Sequence, residues 1–192
     1  MNFRITPELL EAAYRQGIFP MAESNGEIGW YSPDPRAIID LDRFHLPRRL
    51  LRTIRQQPFE IATDRNFEEV IRRCAGRKET WINEEIVRAY TALHRMGKAH
   101  SVEAYVEGTL AGGLYGVSLG GAFMGESMFT INRDASKICL AFLVGRLKER
   151  GYILLDTQFI TPHLERFGAI EIPHSDYLRR LERALALSCR FD

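Results

Sequence analysis

The sequence of 192 residues is short of three things: paired cysteines, long apolar runs and net charge. Cys74, Cys139 and Cys189 are far apart and form no C-x-x-C pair, which argues against a disulfide framework and a zinc knuckle. No window approaches the roughly 18 uninterrupted apolar residues of a membrane span, and the N-terminus lacks the apolar core of a signal peptide. We therefore expect a cytoplasmic protein without a membrane partner.

The charges nearly cancel, since 26 Lys and Arg residues face 25 Asp and Glu residues. A nucleic-acid partner would need a local basic patch, because the protein as a whole has no strong positive field. The histidines are scattered without metal-ligand spacing, at His45, His94, His100, His163 and His174. No metal site is predicted.

The second half of the chain predicts a sheet with helices packed on it. Strands separated by glycine-containing turns are predicted at 101–107, 110–119 and 122–129, which is an antiparallel meander. The segments that follow predict, in order, a helix at 135–150, a strand at 152–159, a short helix at 161–167, a strand at 169–172 and a helix at 176–187. This order indicates an α+β (mixed α/β) fold with a mixed sheet and flanking helices.

The first half of the chain predicts mainly helices and loops. Helices are predicted at 6–16, from Pro47, at 67–74 and at 83–96, with short strands at 37–41 and 59–63. Residues 17–36 contain three prolines together with Trp30 and Tyr31, which predict an ordered but irregular loop. We therefore divide the chain into a small N-terminal lobe with a basic helix over 1–76 and a catalytic domain over 77–192.

Glu126 is the least expected residue of the predicted sheet. It lies in a strand with Phe123, Met124, Met128 and Phe129, which predict burial on both faces. An unpaired carboxylate costs several kcal/mol to bury, so Glu126 is expected to be partnered, protonated or used on a bound ligand.

The predicted strand at 152–159 carries a second acidic group. By the strand period, Asp156 and Gln158 point to one face of the sheet. If they share a cleft with Glu126, the three side chains can orient an amine and accept a proton from it. The structural alternative is that each carboxylate caps a helix or pairs with an arginine.

A basic helix follows Pro47, in a stretch with five arginines and no acidic residue between Arg43 and Gln57. In a helix, Arg48, Arg52 and Arg55 stand in one row, at spacings i, i+4 and i+7. This row is either a solvated helix face or a surface that contacts phosphates.

The order of hairpin strands, helix and strand is also that of an acyl-CoA acetyltransferase. That activity needs a glycine-rich loop whose backbone N–H groups hold the pyrophosphate, but the connection at 130–137 contains no glycine. The fold can therefore be acetyltransferase-like (GNAT-like) without coenzyme A. The helix after this connection carries a row of leucines, Leu140, Leu143 and Leu147, which predicts core packing or, if the sheet opposite is open, a pocket wall.

Eight short segments in register resemble the bacterial leucyl/phenylalanyl-tRNA–protein transferases over nearly the whole chain. They are 17–20, 30–36, 80–82, 99–103, 112–117, 125–129, 135–137 and 155–158. The resemblance implies transfer of Leu or Phe, with Met as a further candidate, from aminoacyl-tRNA to the N-terminal Arg or Lys of an acceptor protein. That product is an N-degron, and the reaction needs no cofactor and no metal.

The resemblance also implies roles for individual residues. The polar catalytic residues would be Glu126, Asp156 and Gln158, and the tRNA-binding cluster would be Arg48, Arg52 and Arg55. The apolar pocket for the aminoacyl side chain would consist of Trp81, Leu114, Phe123, Leu140, Leu143, Leu147 and Leu155. Phe123 and Glu126 have opposite strand parity, so they can face one pocket only if the backbone is irregular near Gly125, for instance at a bulge.

Two other functions are compatible with parts of the sequence. An RNA-binding module without catalysis would bind tRNA through the arginine row and form no product. An acyl-CoA-dependent N-acetyltransferase would use the same fold, but the glycine-free connection disfavours it.

Overall fold

The structure, a computed structural model, describes residues 4–56, 58–77 and 79–192. The helices are α1 (Pro7–Tyr14), α2 (Arg48–Arg55), α3 (Phe67–Ala75), α4 (Glu84–Arg95), α5 (Ala135–Glu149), α6 (Pro162–Glu165) and α7 (His174–Leu185). The strands are β1 (Phe19–Ala22), β2 (Ile28–Tyr31), β3 (Arg36–Ile39), β4 (Glu60–Thr63), β5 (Ala99–Val106), β6 (Thr109–Leu119), β7 (Ala122–Thr130), β8 (Leu154–Gln158) and β9 (Ala169–Ile172). Within these ranges, no helix is long and apolar enough to cross a membrane.

The main sheet has seven strands in the order β4-β5-β6-β7-β8-β3-β9. All its neighbours are antiparallel except β7 and β8, which run parallel. The predicted mixed sheet with flanking helices and the predicted meander β5-β6-β7 are thereby confirmed. Strands β3 and β4 come from the first 76 residues and lie in this same sheet, and the division of the chain at residue 76 stays a prediction.

Side-chain caps start several helices where the sequence predicts them. Thr6 Oγ1 accepts a hydrogen bond from the Leu9 N–H at 3.2 Å, and Asn83 Oδ1 accepts one from the Ile86 N–H at 2.9 Å. Helix α5 differs, because Asp134 makes no cap bond and its carboxylate accepts a hydrogen bond from Lys137 Nζ at 2.5 Å instead.

The prediction of an irregular loop at 17–36 is wrong for residues 19–31, which form two paired strands and the turn between them. Strands β1 and β2 form an antiparallel hairpin with Phe19 opposite Tyr31 and Pro20 opposite Trp30. The rings of Phe19 and Tyr31 stack with centroids 6.2 Å apart, and this aromatic contact holds the two strands together despite the proline.

The main sheet separates two apolar cores. On one face, α5 covers residues such as Leu114 and Phe123. On the other face, α1, α3 and α4 cover residues such as Tyr115 and Met124. Neighbouring residues of a strand therefore belong to different cores, as the alternation of side chains along a strand requires.

Strands β7 and β8 each contain an extra residue at the same level of the sheet. In β7, Tyr115 pairs with Ser127 but Gly116 pairs with Gly125, which leaves Glu126 as the bulged residue. In β8, the pairs Ala37–Gln158 and Ile38–Asp156 leave Thr157 unpaired in the same way. The predicted irregularity near Gly125 is confirmed.

The parallel pairing of β7 with β8 ends where these bulges begin. Its last pair is Met124 with Asp156. Beyond that pair the two strands are no longer hydrogen-bonded to each other, and the sheet opens. The bulge also shifts the alternation of side chains along β7 by one residue. Phe123, before the bulge, and Met128, after it, therefore both face α5.

The glycine that the bulge requires is Gly116, not Gly125. A Cβ added at Gly116 would lie 2.4 Å from both Met124 O and Phe123 Cε1. A Cβ at Gly125 would meet Asp156 O at 3.5 Å, which is an ordinary contact. The close approach of β6 to the bulged strand therefore depends on the absence of a side chain at Gly116.

We predict that Gly116→Ala lowers the free energy of unfolding by about 1–3 kcal/mol, because the new methyl group has no room. Gly125→Ala is the matched control and should change it by less than about 1 kcal/mol. Urea unfolding of the two variants measures both values. Equal losses would contradict the assignment of the close approach to Gly116.

Candidate active site

A cavity of about 440 Å³ lies where the sheet opens between β7 and β8. It extends to both faces of the sheet, because its walls include residues from both apolar cores. The wall on the α5 side contains the leucines Leu114, Leu140, Leu143, Leu155 and Leu164. The opposite wall contains Phe19, Met21, Trp81 and Tyr115. A ligand in this cavity would contact an apolar surface on one side and an aromatic surface on the other.

Most of the predicted site residues line this cavity. They are Trp81, Leu114, Glu126, Leu140, Leu143, Leu155 and Gln158. Phe123, Leu147 and Asp156 do not line it and are fully buried. Phe123 precedes the bulge and its ring packs against Phe191, with centroids 5.5 Å apart, while Leu147 lies one helical turn beyond Leu143 in the core.

Asp156 forms a buried ion pair with Arg36. Arg36 Nε donates to Asp156 Oδ1 at 2.9 Å and Arg36 Nη2 donates to Oδ2 at 2.6 Å, and both side chains are 0% exposed. The Tyr177 hydroxyl donates a further hydrogen bond to Oδ2 at 2.8 Å. Asp156 is therefore paired with an arginine, which is the structural alternative to a direct role in catalysis.

The same ion pair shapes the backbone at Gln158. The Gln158 N–H donates to Asp156 Oδ1 at 2.9 Å, and Gln158 has a φ of 59°, a left-handed conformation that is uncommon for a residue with a side chain. This conformation turns the Gln158 side chain toward β7, where Nε2 donates to Glu126 Oε1 at 3.1 Å. Of the described residues that hydrogen-bond to the Asp156 carboxylate, Gln158 is the one that lines the cavity.

Glu126 accepts hydrogen bonds from hydroxyl and amide donors, and it forms no salt bridge with a described residue. The Tyr90 hydroxyl donates to Glu126 Oε2 at 3.3 Å, and Tyr90 in turn shares a short hydrogen bond with Tyr14. Burial and the nearby negative charge of Asp156 raise the pKa of Glu126 to about 8, although the tyrosine hydrogen bonds act in the opposite direction. Near neutral pH the site therefore holds Glu126 mainly as the neutral acid.

Two buried hydroxyl groups in the cavity wall have no hydrogen-bond partner among the described residues. They are Tyr115 Oη and Thr157 Oγ1. Buried polar atoms are rarely left unsatisfied, so a ligand with polar groups at this level of the sheet fits the site better than an apolar one.

The arginine row lies away from the cavity. Arg48, Arg52 and Arg55 border a shallow surface depression on α2 together with Leu51, and all three arginines are exposed. In the ranges that the structure describes, no cluster of three or more His, Cys, Asp or Glu side chains could hold a metal ion.

Several residues of the site could not be found from the sequence: Arg36, Tyr177, Tyr90 and Tyr14. A buried carboxylate requires hydrogen-bond donors. Those of Asp156 are Tyr177 and Arg36, which lie 21 and 120 residues away from it in the sequence. The only local signal was Arg36, a charge that directly precedes three buried apolar residues.

The chain is similar to proteins of one family along its whole length. The profile described as Leucyl/phenylalanyl-tRNA protein transferase matches residues 38–182, and the profile of the N-terminal domain of the same family matches residues 3–34. A protein of Rubrobacter xylanophilus named leucyl/phenylalanyl-tRNA–protein transferase is 59% identical, over 98% of this chain and 99% of its own. A protein of Gloeobacter violaceus with the same name is 57% identical over 100% of both chains.

A solved structure also matches part of the fold. It is the ribosomal-protein-alanine N-acetyltransferase from Brucella melitensis biovar Abortus 2308, which is 18% identical. The match has a TM-score of 0.42 and covers 56% of this chain and 85% of the acetyltransferase.

The raised pKa of Glu126 predicts a pH-dependent gain in stability for Glu126→Gln. Between the ordinary pKa of 4.5 for an unperturbed Glu and about 8, the folded protein holds a proton that the unfolded chain has released, so stability falls as the pH rises through this window. Between pH 5 and pH 9, the free energy of unfolding of the variant should rise by on the order of 2 kcal/mol relative to that of the wild type. This is less than the pKa shift of Glu126 would give in full, because the side chain is partly open to the cavity. Urea unfolding at both pH values measures the gain.

The matched control is Glu149→Gln at the exposed end of α5. Its stability relative to wild type should not change with pH by more than a few tenths of a kcal/mol. A pH-independent effect of Glu126→Gln would contradict the raised pKa.

Proposed function

The chain belongs to the leucyl/phenylalanyl-tRNA protein transferase family, and we propose that it transfers Leu or Phe from an aminoacyl-tRNA to the N-terminal Arg or Lys of an acceptor protein. The modified protein would carry an N-degron. The observation that carries this proposal is the cavity between β7 and β8, which joins an apolar wall on one face of the sheet to Glu126 and Gln158 at the other. Because charged tRNA is a cytoplasmic substrate, we also assign the reaction to the cytoplasm.

The leucine-lined wall accepts the aminoacyl side chain. Leu114, Leu140, Leu143 and Leu155 present an apolar surface without a charged group, which suits Leu and Phe and accommodates Met as a further candidate. Trp81, which the resemblance assigns to the aminoacyl pocket, lies half-buried on the opposite wall. We therefore assign its flat ring to stacking with the terminal adenine instead.

The reaction requires positioning more than activation. The α-amine of the acceptor attacks the ester carbonyl, a C–N bond forms, the C–O bond of the ester breaks, and a proton passes from the amine to the leaving ribose oxygen. An ester is converted into an amide, so the step needs no ATP, metal ion or coenzyme A. The protein must hold the amine in its free form and align it with the carbonyl.

Gln158 aligns the amine. Its Nε2 is engaged by Glu126, so its Oε1 is the end that can accept a hydrogen bond from an α-amine in the cavity. Asp156 contributes by fixing the Gln158 backbone through the Asp156 Oδ1 contact, and it acts as a positioning residue.

Glu126 holds the cationic acceptor. An N-terminal Arg or Lys brings a permanent positive charge to a carboxylate whose pKa of about 8 is set by burial and by Asp156. The incoming cation favours the ionised form of Glu126, so binding of the acceptor and loss of the Glu126 proton are coupled. The exposed row of Arg48, Arg52 and Arg55 contacts tRNA phosphates at a distance from this chemistry.

The proposed function predicts that the protein, incubated with [¹⁴C]Leu-tRNA or [¹⁴C]Phe-tRNA, labels a peptide that begins with Arg and labels a matched peptide that begins with Asp far less. Gln158→Ala should reduce kcat by about 100-fold or more, because the amine is no longer aligned. Glu126→Gln should mainly raise the KM for the Arg peptide. Product is measured by mass spectrometry after tRNA is removed.

Each rival function predicts a different result. An RNA-binding module would bind the charged tRNA and release no labelled peptide, and an acyl-CoA-dependent N-acetyltransferase would label the peptide only from acetyl-CoA. Glu149→Gln is the control variant for both kinetic effects. Absence of transfer from Leu-tRNA and Phe-tRNA by the wild-type protein would reject the proposed function.

A further inference from the structure

A second cavity, of about 230 Å³, lies between α2, the start of α5 and α6. Its lining combines the apolar side chains of Pro47, Leu50 and Phe167 with basic side chains. Four cationic side chains contribute to it: Arg49, Arg133, Lys137 and Arg166. We call this the basic cavity. It is separate from the arginine row, because Arg48, Arg52 and Arg55 border a different depression on α2.

The positive charge of the basic cavity is only partly neutralised. Asp134 is its one acidic lining residue, and Lys137 Nζ contacts the Asp134 carboxylate at 2.5 Å while Arg133 Nε lies 3.9 Å from it. Within residues 4–56, 58–77 and 79–192, no salt bridge involves Arg49 or Arg166. Four cations facing one carboxylate favour an anionic ligand.

His163 connects the basic cavity to the candidate active site. It lines both the basic cavity and the 440 Å³ cavity between β7 and β8. Its Nε2 is buried and has no hydrogen-bond partner in the described part of the chain. Burial, and then the charges of Lys137 and Arg166, lower the pKa of His163, so near neutral pH the ring is uncharged and can donate or accept one hydrogen bond.

The order of groups in an aminoacyl-tRNA matches the order of these two cavities. The aminoacyl group is attached to the ribose of the last nucleotide, and the first phosphodiester lies only a few bonds from that ribose. If the aminoacyl side chain occupies the leucine-lined wall, the chain of the RNA must leave the cavity close to its rim. At the α6 rim, His163 adjoins the basic cavity and also a cavity of about 800 Å³ that Arg72 and Arg73 line. Arg72 and Arg73 already form salt bridges with glutamates, so we take the basic cavity, where Arg49 and Arg166 form none among the described residues, as the site that the RNA reaches.

We propose that the basic cavity binds the phosphodiester groups of the unpaired 3′ end of the tRNA, directly before the aminoacylated adenosine, and that His163 contacts the sugar or phosphate at the passage between the two cavities. This assignment rests on the proposed function. Arg49 and Arg166 bind the phosphates as charged donors. The arginine row on the other side of α2 then remains for phosphates of the paired stem.

Phosphates of the unpaired 3′ end are distinguished from phosphates of the paired stem with three phenylalanyl donors. Phenylalanyl-adenosine has no phosphodiester, phenylalanyl-CpCpA has only those of the 3′ end, and full Phe-tRNA has both kinds. Transfer to an Arg peptide is measured with each donor. Arg49→Gln/Arg166→Gln should lower kcat/KM for phenylalanyl-CpCpA and Phe-tRNA by about tenfold and leave phenylalanyl-adenosine within about twofold of wild type. The slope of log(kcat/KM) against log[salt] with phenylalanyl-CpCpA should become shallower by about 0.7 for each phosphate that the variant no longer neutralises.

Two other arginine variants serve as controls, the first of them matched in charge. Arg180→Gln/Arg183→Gln, on the exposed face of α7, should leave all three donors unaffected. Arg48→Gln/Arg52→Gln/Arg55→Gln should impair Phe-tRNA but not phenylalanyl-CpCpA. His163→Ala should impair phenylalanyl-CpCpA more than phenylalanyl-adenosine.

Three outcomes would overturn the assignment. An equal reduction with phenylalanyl-adenosine would place the effect in the aminoacyl site, and a reduction confined to Phe-tRNA would place it on the stem. No reduction with any donor would leave the basic cavity without a role in binding RNA. If the wild-type protein transfers from none of the donors, the proposed function itself fails, which is a separate result.

Discussion

The buried ion pair between Arg36 and Asp156 is the interaction on which the site depends. Removing two charges from water costs several kcal/mol per ion, and here two hydrogen bonds between the pair and one from Tyr177 offset that cost. Arg36 also donates to Gly17 O at 2.9 Å and lies over the rings of Phe19 and Tyr177. One arginine therefore links β3, β8, α7 and the β1–β2 hairpin, and it fixes the end of β8 from which Gln158 projects.

The second constraint is the pair of bulges that opens the sheet. Because Glu126 and Thr157 are extra residues at the same level, β7 and β8 separate just beyond Met124 and Asp156. The opening joins the polar groups on one face to the leucines on the other. Burial of a carboxylate alone would not identify this site. Glu103 is fully buried, whereas Glu126 is only partly buried, and Ser101, Tyr105 and the Asn66 N–H all donate to Glu103.

Local patterns in the sequence predict where α1 and α4 begin and predict the meander. They leave the leucine row of α5 as either core packing or a pocket wall, and only the resemblance places it beside the polar residues. Strand parity predicts the bulge only together with the resemblance, which places Phe123 and Glu126 in one pocket. The bulge is present, but Phe123 does not line the cavity. The partner of Asp156 could not be predicted, because it depends on β3 lying beside β8. The basic cavity could not be predicted for a similar reason: its residues come from three separate segments, around Arg49, Arg133 and Arg166. The β1–β2 hairpin was not predicted, because the prolines in residues 17–36 favour an irregular loop.

The central claim is that Asp156 acts through Gln158 and does not contact the reactants. A double-mutant cycle of Asp156→Asn and Gln158→Ala, measured as single-turnover transfer at saturating donor and acceptor, tests it most directly. All variants are assayed at a temperature at which circular dichroism shows them folded, because removing one partner of a buried ion pair costs about 3–5 kcal/mol. The double variant is expected to be no slower than Gln158→Ala alone. Rate reductions that multiply would contradict the claim and would give Asp156 a direct role in the reaction.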